Sequence, residues 1–146
     1  MSQNKSKSTQ KKSKDCLQLS TNTEANKNVC FSLAEECYKD DPKKLEHYKK
    51  QRDEQGFDDT ETWHLDKTIA LFLLPRLKRF IQVNNGVPSG ETEESFNEKL
   101  NFIIKSFEEY YLNDNDVSSL ELEKERLINA KKGLEYLTSL WFGLWW

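Results

Sequence analysis

Histidine, cysteine and methionine are scarce in this 146-residue chain, and no apolar run is long. There are two histidines, His47 on a polar segment and His64 beside a turn, so imidazole acid–base chemistry has little to work with. The three cysteines, Cys16, Cys30 and Cys37, form no C-x-x-C pair, which argues against a zinc site. Their odd number and the lack of a signal-peptide pattern fit a reducing cytosol, with the thiols serving as small apolar groups. Residues 69–74 are apolar on every side of a helix, but six residues fall far short of a bilayer span. H-E-x-x-H, zinc-finger spacings, nucleophile arrangements and glycine-rich phosphate loops are all missing. No β-type alternation and no internal repeat occurs.

What the chain has in quantity is charge. Charged residues make up 32% and hydrophobic ones 36%, with a mean hydropathy of −0.87, so any core must be economical; a 12% aromatic fraction supplies it. The net charge of −3 is unevenly spread. Residues 1–14 carry five lysines and no acid, and the remaining 17 basic and 25 acidic side chains leave 15–146 at −8. An acidic body argues against a duplex-DNA binder, so nucleic acid is expected, at most weakly, through the basic tail. Residues 1–28 hold almost nothing apolar and are expected to form a disordered basic tail, with 29–146 a single helical domain.

The domain is expected to be built around the run from Thr62 to Ile81. At about 100° per residue, Leu65, Ile69, Phe72, Arg76 and Arg79 fall on one side of a helix. Ala70, Leu73, Leu77 and Phe80 fall on the next side, and Leu71, Leu74 and Lys78 on the third. Apolar residues all round 69–74 predict a helix enclosed by others. Pro75 has no N–H to offer the Leu71 carbonyl, which predicts a kink or a break and leaves that carbonyl to Arg76, Lys78 or Arg79.

On either side of this run the pattern is also helical. Residues 29–39 set Cys30, Leu33, Ala34 and Cys37 on one stripe before Pro42, and 43–55 form a weaker helix stopped by Gly56. Residues 84–90 are a loop. Thr92 then caps a helix whose apolar face is Phe96, Leu100, Ile103, Phe107 and Tyr111. Ser118 with Glu121 reads as a capping box opening a last helix. Along it Leu127, Ala130, Leu134, Leu137, Trp141 and Leu144 keep a heptad seam. The fold class is all-α, a small helical bundle around a proline-kinked central helix.

The run Gly56-Phe57-Asp58-Asp59-Thr60-Glu61-Thr62-Trp63, then Leu65-Asp66, Thr68-Ile69-Ala70 and Leu74-Pro75-Arg76-Leu77-Lys78-Arg79-Phe80, resembles a family of small, largely uncharacterised proteins of tailed bacteriophages. The likeness continues through Asn85-Gly86, Pro88 and Thr92-Glu93-Glu94, and ends in Gly133-Leu134-Glu135 and the tryptophan-rich C-terminus. It covers about the last two thirds of the chain and none of the first 50 residues. Family members commonly carry serine where this chain has His64. The resemblance implies a phage origin and no established activity.

Three groups of residues could carry function. Arg76, Lys78 and Arg79, with Trp63, are anion-binding candidates, because guanidinium forks grip phosphates and indoles stack on bases. Trp141, Trp145 and Trp146 are interface candidates, since apolar surface that a chain end leaves uncovered invites a partner. Asp58, Asp59, Glu61 and Asp66 offer oxygen ligands suited to Mg²⁺ or Mn²⁺. The expected function is a non-enzymatic phage accessory protein acting by binding in the host cytoplasm, without a cofactor. Its ligand is expected to be a host protein or a small nucleotide-like anion, whose sequestration would serve counter-defence, and a homodimer is compatible with the aromatic end. No membrane association is expected. The competing readings are an all-α metal-dependent nucleotide hydrolase and a virion or assembly component.

Overall fold

In the computed structural model, residues 27–113 and 119–145 are described. Among them the secondary structure is helical with no strand: α1 (Ala34–Tyr38), α2 (Pro42–Gln55), α3 (Leu65–Val83), α4 (Glu93–Tyr111) and α5 (Leu120–Leu140), with 3₁₀ turns at Asp59–Thr62 and Trp141–Gly143. The expected all-α class is the one found. The expected tail lies outside the described residues except Lys27 and Asn28, which sit in a 3₁₀ turn. The chain divides into two compact units, Met1–Leu65 and Asp66–Trp146.

The first unit has almost no apolar core; Ala34 is its one buried hydrophobic residue among those described, and α2 buries none. The helix expected over 29–39 forms only at Ala34–Tyr38, and Cys30 and Cys37, expected on its apolar stripe, are exposed. Two short, charged helices cannot generate a wide apolar stripe, so polar contacts do the organising. Helix α2 starts with Pro42 in its first turn and the Asp41 carboxylate accepting the Lys44 N–H. It stops at Gly56, whose φ of 86° suits glycine and whose N–H donates to the Arg52 carbonyl at 2.9 Å.

The second unit is organised by α4. Its expected face is realised: Phe96, Leu100, Ile103 and Phe107 are buried, and Tyr111 packs against the same cluster. Thr92 accepts the Ser95 N–H at 3.2 Å, as expected of a cap, and Glu93 and Glu94 complement the helix dipole. Burying side chains of this size contributes about 1.5–3 kcal/mol each before entropy is subtracted. Against α4 pack Ala70, Leu74 and Leu77 of α3 and Leu137 and Leu140 of α5. The Phe80 ring meets Phe96 edge-on.

Helix α3 continues unbroken through Pro75. Leu74 and Leu77, buried on either side of the proline, hold it in place. The enclosure expected around 69–74 is not found: Ile69 and Phe72 are 49% and 44% exposed. The helix is covered on one side only, so apolar residues all round did not mean burial all round.

Helix α5 begins one residue later than expected. Ser119 accepts the Leu122 N–H at 3.2 Å, while Ser118, the expected cap, lies outside the described residues. The heptad seam splits in two. Ala130 and Leu137 are buried and Leu144 packs against the core, whereas Leu127, Leu134 and Trp141 are exposed. The reason is a close crossing at Gly133, where an added Cβ would lie 2.3 Å from Ser106 Oγ and 3.3 Å from Phe107 Cε1. That contact rolls α5 so that one half of its seam meets α4. A second close approach sets the loop before α4, since a Cβ on Gly143 would fall 2.3 Å from Pro88 Cγ.

Gly133→Val is expected to lower the unfolding free energy by about 1–3 kcal/mol through overpacking. Urea denaturation followed by far-UV circular dichroism checks this.

Candidate functional site

The acidic residues of the first unit are tied into one buried knot. Asp58 and Thr60 are fully buried and Glu61 is nearly so. The Asp58 Oδ1 atom accepts the Thr60 N–H at 3.0 Å and the Thr60 hydroxyl, and Thr60 Oγ1 in turn accepts the Leu33 N–H at 2.9 Å. Glu61 Oε2 accepts the Phe31 N–H at 3.3 Å, and Glu61 Oε1 takes Arg52 Nη1. Asp58 Oδ2 makes no hydrogen bond and lies 3.6 Å from the same Arg52 nitrogen. Asp59, on the exposed side, exchanges two bonds with the Gln51 amide. The carboxylates of Asp58 and Glu61 are thus committed to backbone amides and one guanidinium, a fastening that joins residues 31–33, α2 and the 3₁₀ turn.

Asp66, the fourth metal candidate, belongs to the second unit and accepts the Tyr111 hydroxyl; burial first, then the Asp66 charge and this bond, push the phenol up to about 12. Among the described residues no group of three or more His, Cys, Asp or Glu side chains is placed to hold a metal ion. Glu91, beside the Glu93 and Glu94 of the helix start, is held below the usual carboxylate range by Lys99 and Ser95.

The three cationic anion-binding candidates do not converge. Lys78 points to α4 and pairs with Glu108. Arg76 and Arg79 lie on the opposite side of α3, three residues apart. The Arg76 guanidinium stacks 3.6 Å from the Phe72 ring centre and donates to the Phe72 carbonyl at 2.7 Å, beside the place where Pro75 removes a donor. Arg79 Nη1 donates to Gln82 at 3.1 Å. Trp63 belongs to the first unit, edge-on to Tyr38 at 6.2 Å; Tyr38 stacks on Tyr48 and receives the Lys44 ammonium at 4.3 Å.

No family model, curated protein or solved structure matches the chain.

Two surfaces stand out. On α3, Leu65, Ile69 and Phe72 are all near half exposed and run directly into Arg76 and Arg79, at spacings of 4, 3, 4 and 3. An apolar strip ending in two guanidinium groups is what a docking face for an acidic amphipathic segment requires. On α5 and beyond it, Trp141 is 55% exposed, Phe142 91% and Trp145 70%, while Trp146 lies outside the described residues. Sequence reasoning placed Leu65, Ile69, Phe72, Arg76 and Arg79 on one side of a helix but not on its outer side. Nothing in the spacing marked Arg52 or Thr60 as the centre of the acidic knot.

Replacing Arg52 with alanine leaves two buried carboxylates uncompensated and is expected to cost about 3 kcal/mol, confined to the first unit. Amide hydrogen exchange should quicken at Phe31 and Leu33 while the α4 amides keep their protection.

Proposed function

We propose that this protein acts by binding rather than by catalysis, and that it docks a protein partner on the outer face of α3. The observation that carries the reading is the exposed row of Leu65, Ile69 and Phe72 continued by Arg76 and Arg79. Burial of the three apolar side chains supplies the driving force. The two guanidinium groups select a partner helix with carboxylates at one end, where fork-shaped donors gain most. Stacking on Phe72 and a bond to its carbonyl hold the Arg76 guanidinium beside the apolar row.

A small phosphate-bearing ligand is supported less, because Lys78 faces away from the two arginines and is spent on Glu108. A carboxylate–metal hydrolase is supported less again, with Asp58 and Glu61 occupied by Arg52 and three backbone amides. No helix among the described residues is long and apolar enough to cross a membrane. The resemblance to tailed-phage proteins points to a partner in the cytoplasm of an infected bacterium.

A photo-cross-linking residue at Ile69, in the full chain expressed in such cells, is expected to capture one acidic protein. The same residue at Lys49 should not. Arg79→Glu should remove the adduct at position 69 and leave the far-UV helix signal unchanged. Loss of that helix signal would make Arg79 structural instead. Calorimetry with Mg²⁺ and a nucleotide panel, with product analysis, separates the other readings: heat with intact ligand favours sequestration, and turnover favours a hydrolase.

A further inference from the structure

The outer half of the α5 seam has no part in docking at α3, yet among the described residues it is a long and regular apolar row. Leu120, Leu127, Leu134 and Trp141 recur every seven residues and are 60%, 37%, 55% and 55% exposed. A seven-residue repeat drifts by only about 20° per heptad on a straight helix, so the four side chains form one nearly axial stripe. Three heptads at 1.5 Å per residue make it about 31 Å long. The roll imposed by the Gly133–Ser106 contact puts Ala130 and Leu137 into the core and this row outside.

Charge along the same helix is polarised. The ionic residues of its first half are Glu121, Glu123, Lys124, Glu125 and Arg126, and those of its second half are Lys131, Lys132 and Glu135. The first set sums to −1 and the second to +1. A parallel copy would set like against like at both ends; an antiparallel copy sets acid against base and opposes the two helix dipoles. With the two-fold axis between residues 130 and 131, Leu127 of one copy meets Leu134 of the other, and Leu120 meets Trp141. The bulkiest group thus faces a leucine rather than its own twin, and Lys124 comes level with Thr138 at the edge of the stripe.

We infer that α5 is a self-association surface, pairing antiparallel with a second copy of this chain through Leu120, Leu127, Leu134 and Trp141. The interface is narrow, so the dimer belongs with weak, concentration-dependent pairs rather than obligate ones. Because part of its specificity is ionic, added salt weakens it.

Sedimentation velocity of the full chain under reducing conditions is expected to show a monomer–dimer equilibrium in the micromolar range. Leu134→Lys should weaken it at least ten-fold with unchanged circular dichroism. Orientation is read by cross-linking, with Lys124→Cys and Thr138→Cys each placed in a chain whose Cys16, Cys30 and Cys37 are changed to serine. Both positions lie on the same edge of the stripe. Mixing the two variants should give the 124–138 disulfide in preference to either self-disulfide. A chain that stays monomeric up to about 1 mM, an equilibrium indifferent to Leu134→Lys, or a preference for self-disulfides would overturn the inference.

Discussion

The second unit depends on one requirement, that the apolar face of α4 be covered from two sides. Phe96, Leu100, Ile103 and Phe107 are too large and too regularly spaced to be left in water, and α3 and α5 supply the cover. How they do so fixes what remains outside. Gly133 lets α5 approach until its backbone faces Ser106, and Leu74 and Leu77 hold α3 on the other flank of the core. Neither flanking helix is enclosed in turn. A chain with this few apolar residues can bury one helix well, and the helices that bury it keep an uncovered side.

The first unit solves a different problem by different means. It lacks the apolar residues to collapse around, and instead concentrates buried polarity in Asp58, Thr60 and Glu61 with Arg52 as counter-charge. Such a knot adds little net free energy compared with apolar packing, but its geometry is exacting: each carboxylate oxygen with a partner fixes one strand of chain. That explains how acids with the spacing of a metal site serve as a fastener. The chemistry of oxygen ligands and that of amide acceptors is the same chemistry, and the nearby guanidinium decides which use prevails.

Much of this was legible in the order of residues. The α4 face, the Thr92 cap, the Gly56 stop and the face shared by Leu65, Ile69, Phe72, Arg76 and Arg79 all follow from periodicity and local backbone chemistry. What was not legible is which side of a doubly apolar helix turns inward. At 69–74 every side offers apolar groups, and the decision rests with the width of α4 rather than with α3. For α5 it rests with Gly133, a single missing side chain whose meaning exists only across a helix crossing. The three cations beyond Pro75 are consecutive enough to read as one cluster, but at about 100° per residue Lys78 falls on a different side of α3 from Arg76 and Arg79, where Glu108 takes it.

The uncovered sides of α3 and α5 are open surface, while α4 holds the core. Hydroxyl-radical footprinting of the dilute full chain, read residue by residue by mass spectrometry, tests it most directly. Rapid oxidation is expected at Ile69, Phe72, Leu134 and Trp141, with Phe96, Leu100 and Phe107 modified slowly. Phe72 and Leu134 reacting as slowly as Phe96 would contradict it, because both helices would then be enclosed and neither could offer a face to anything else.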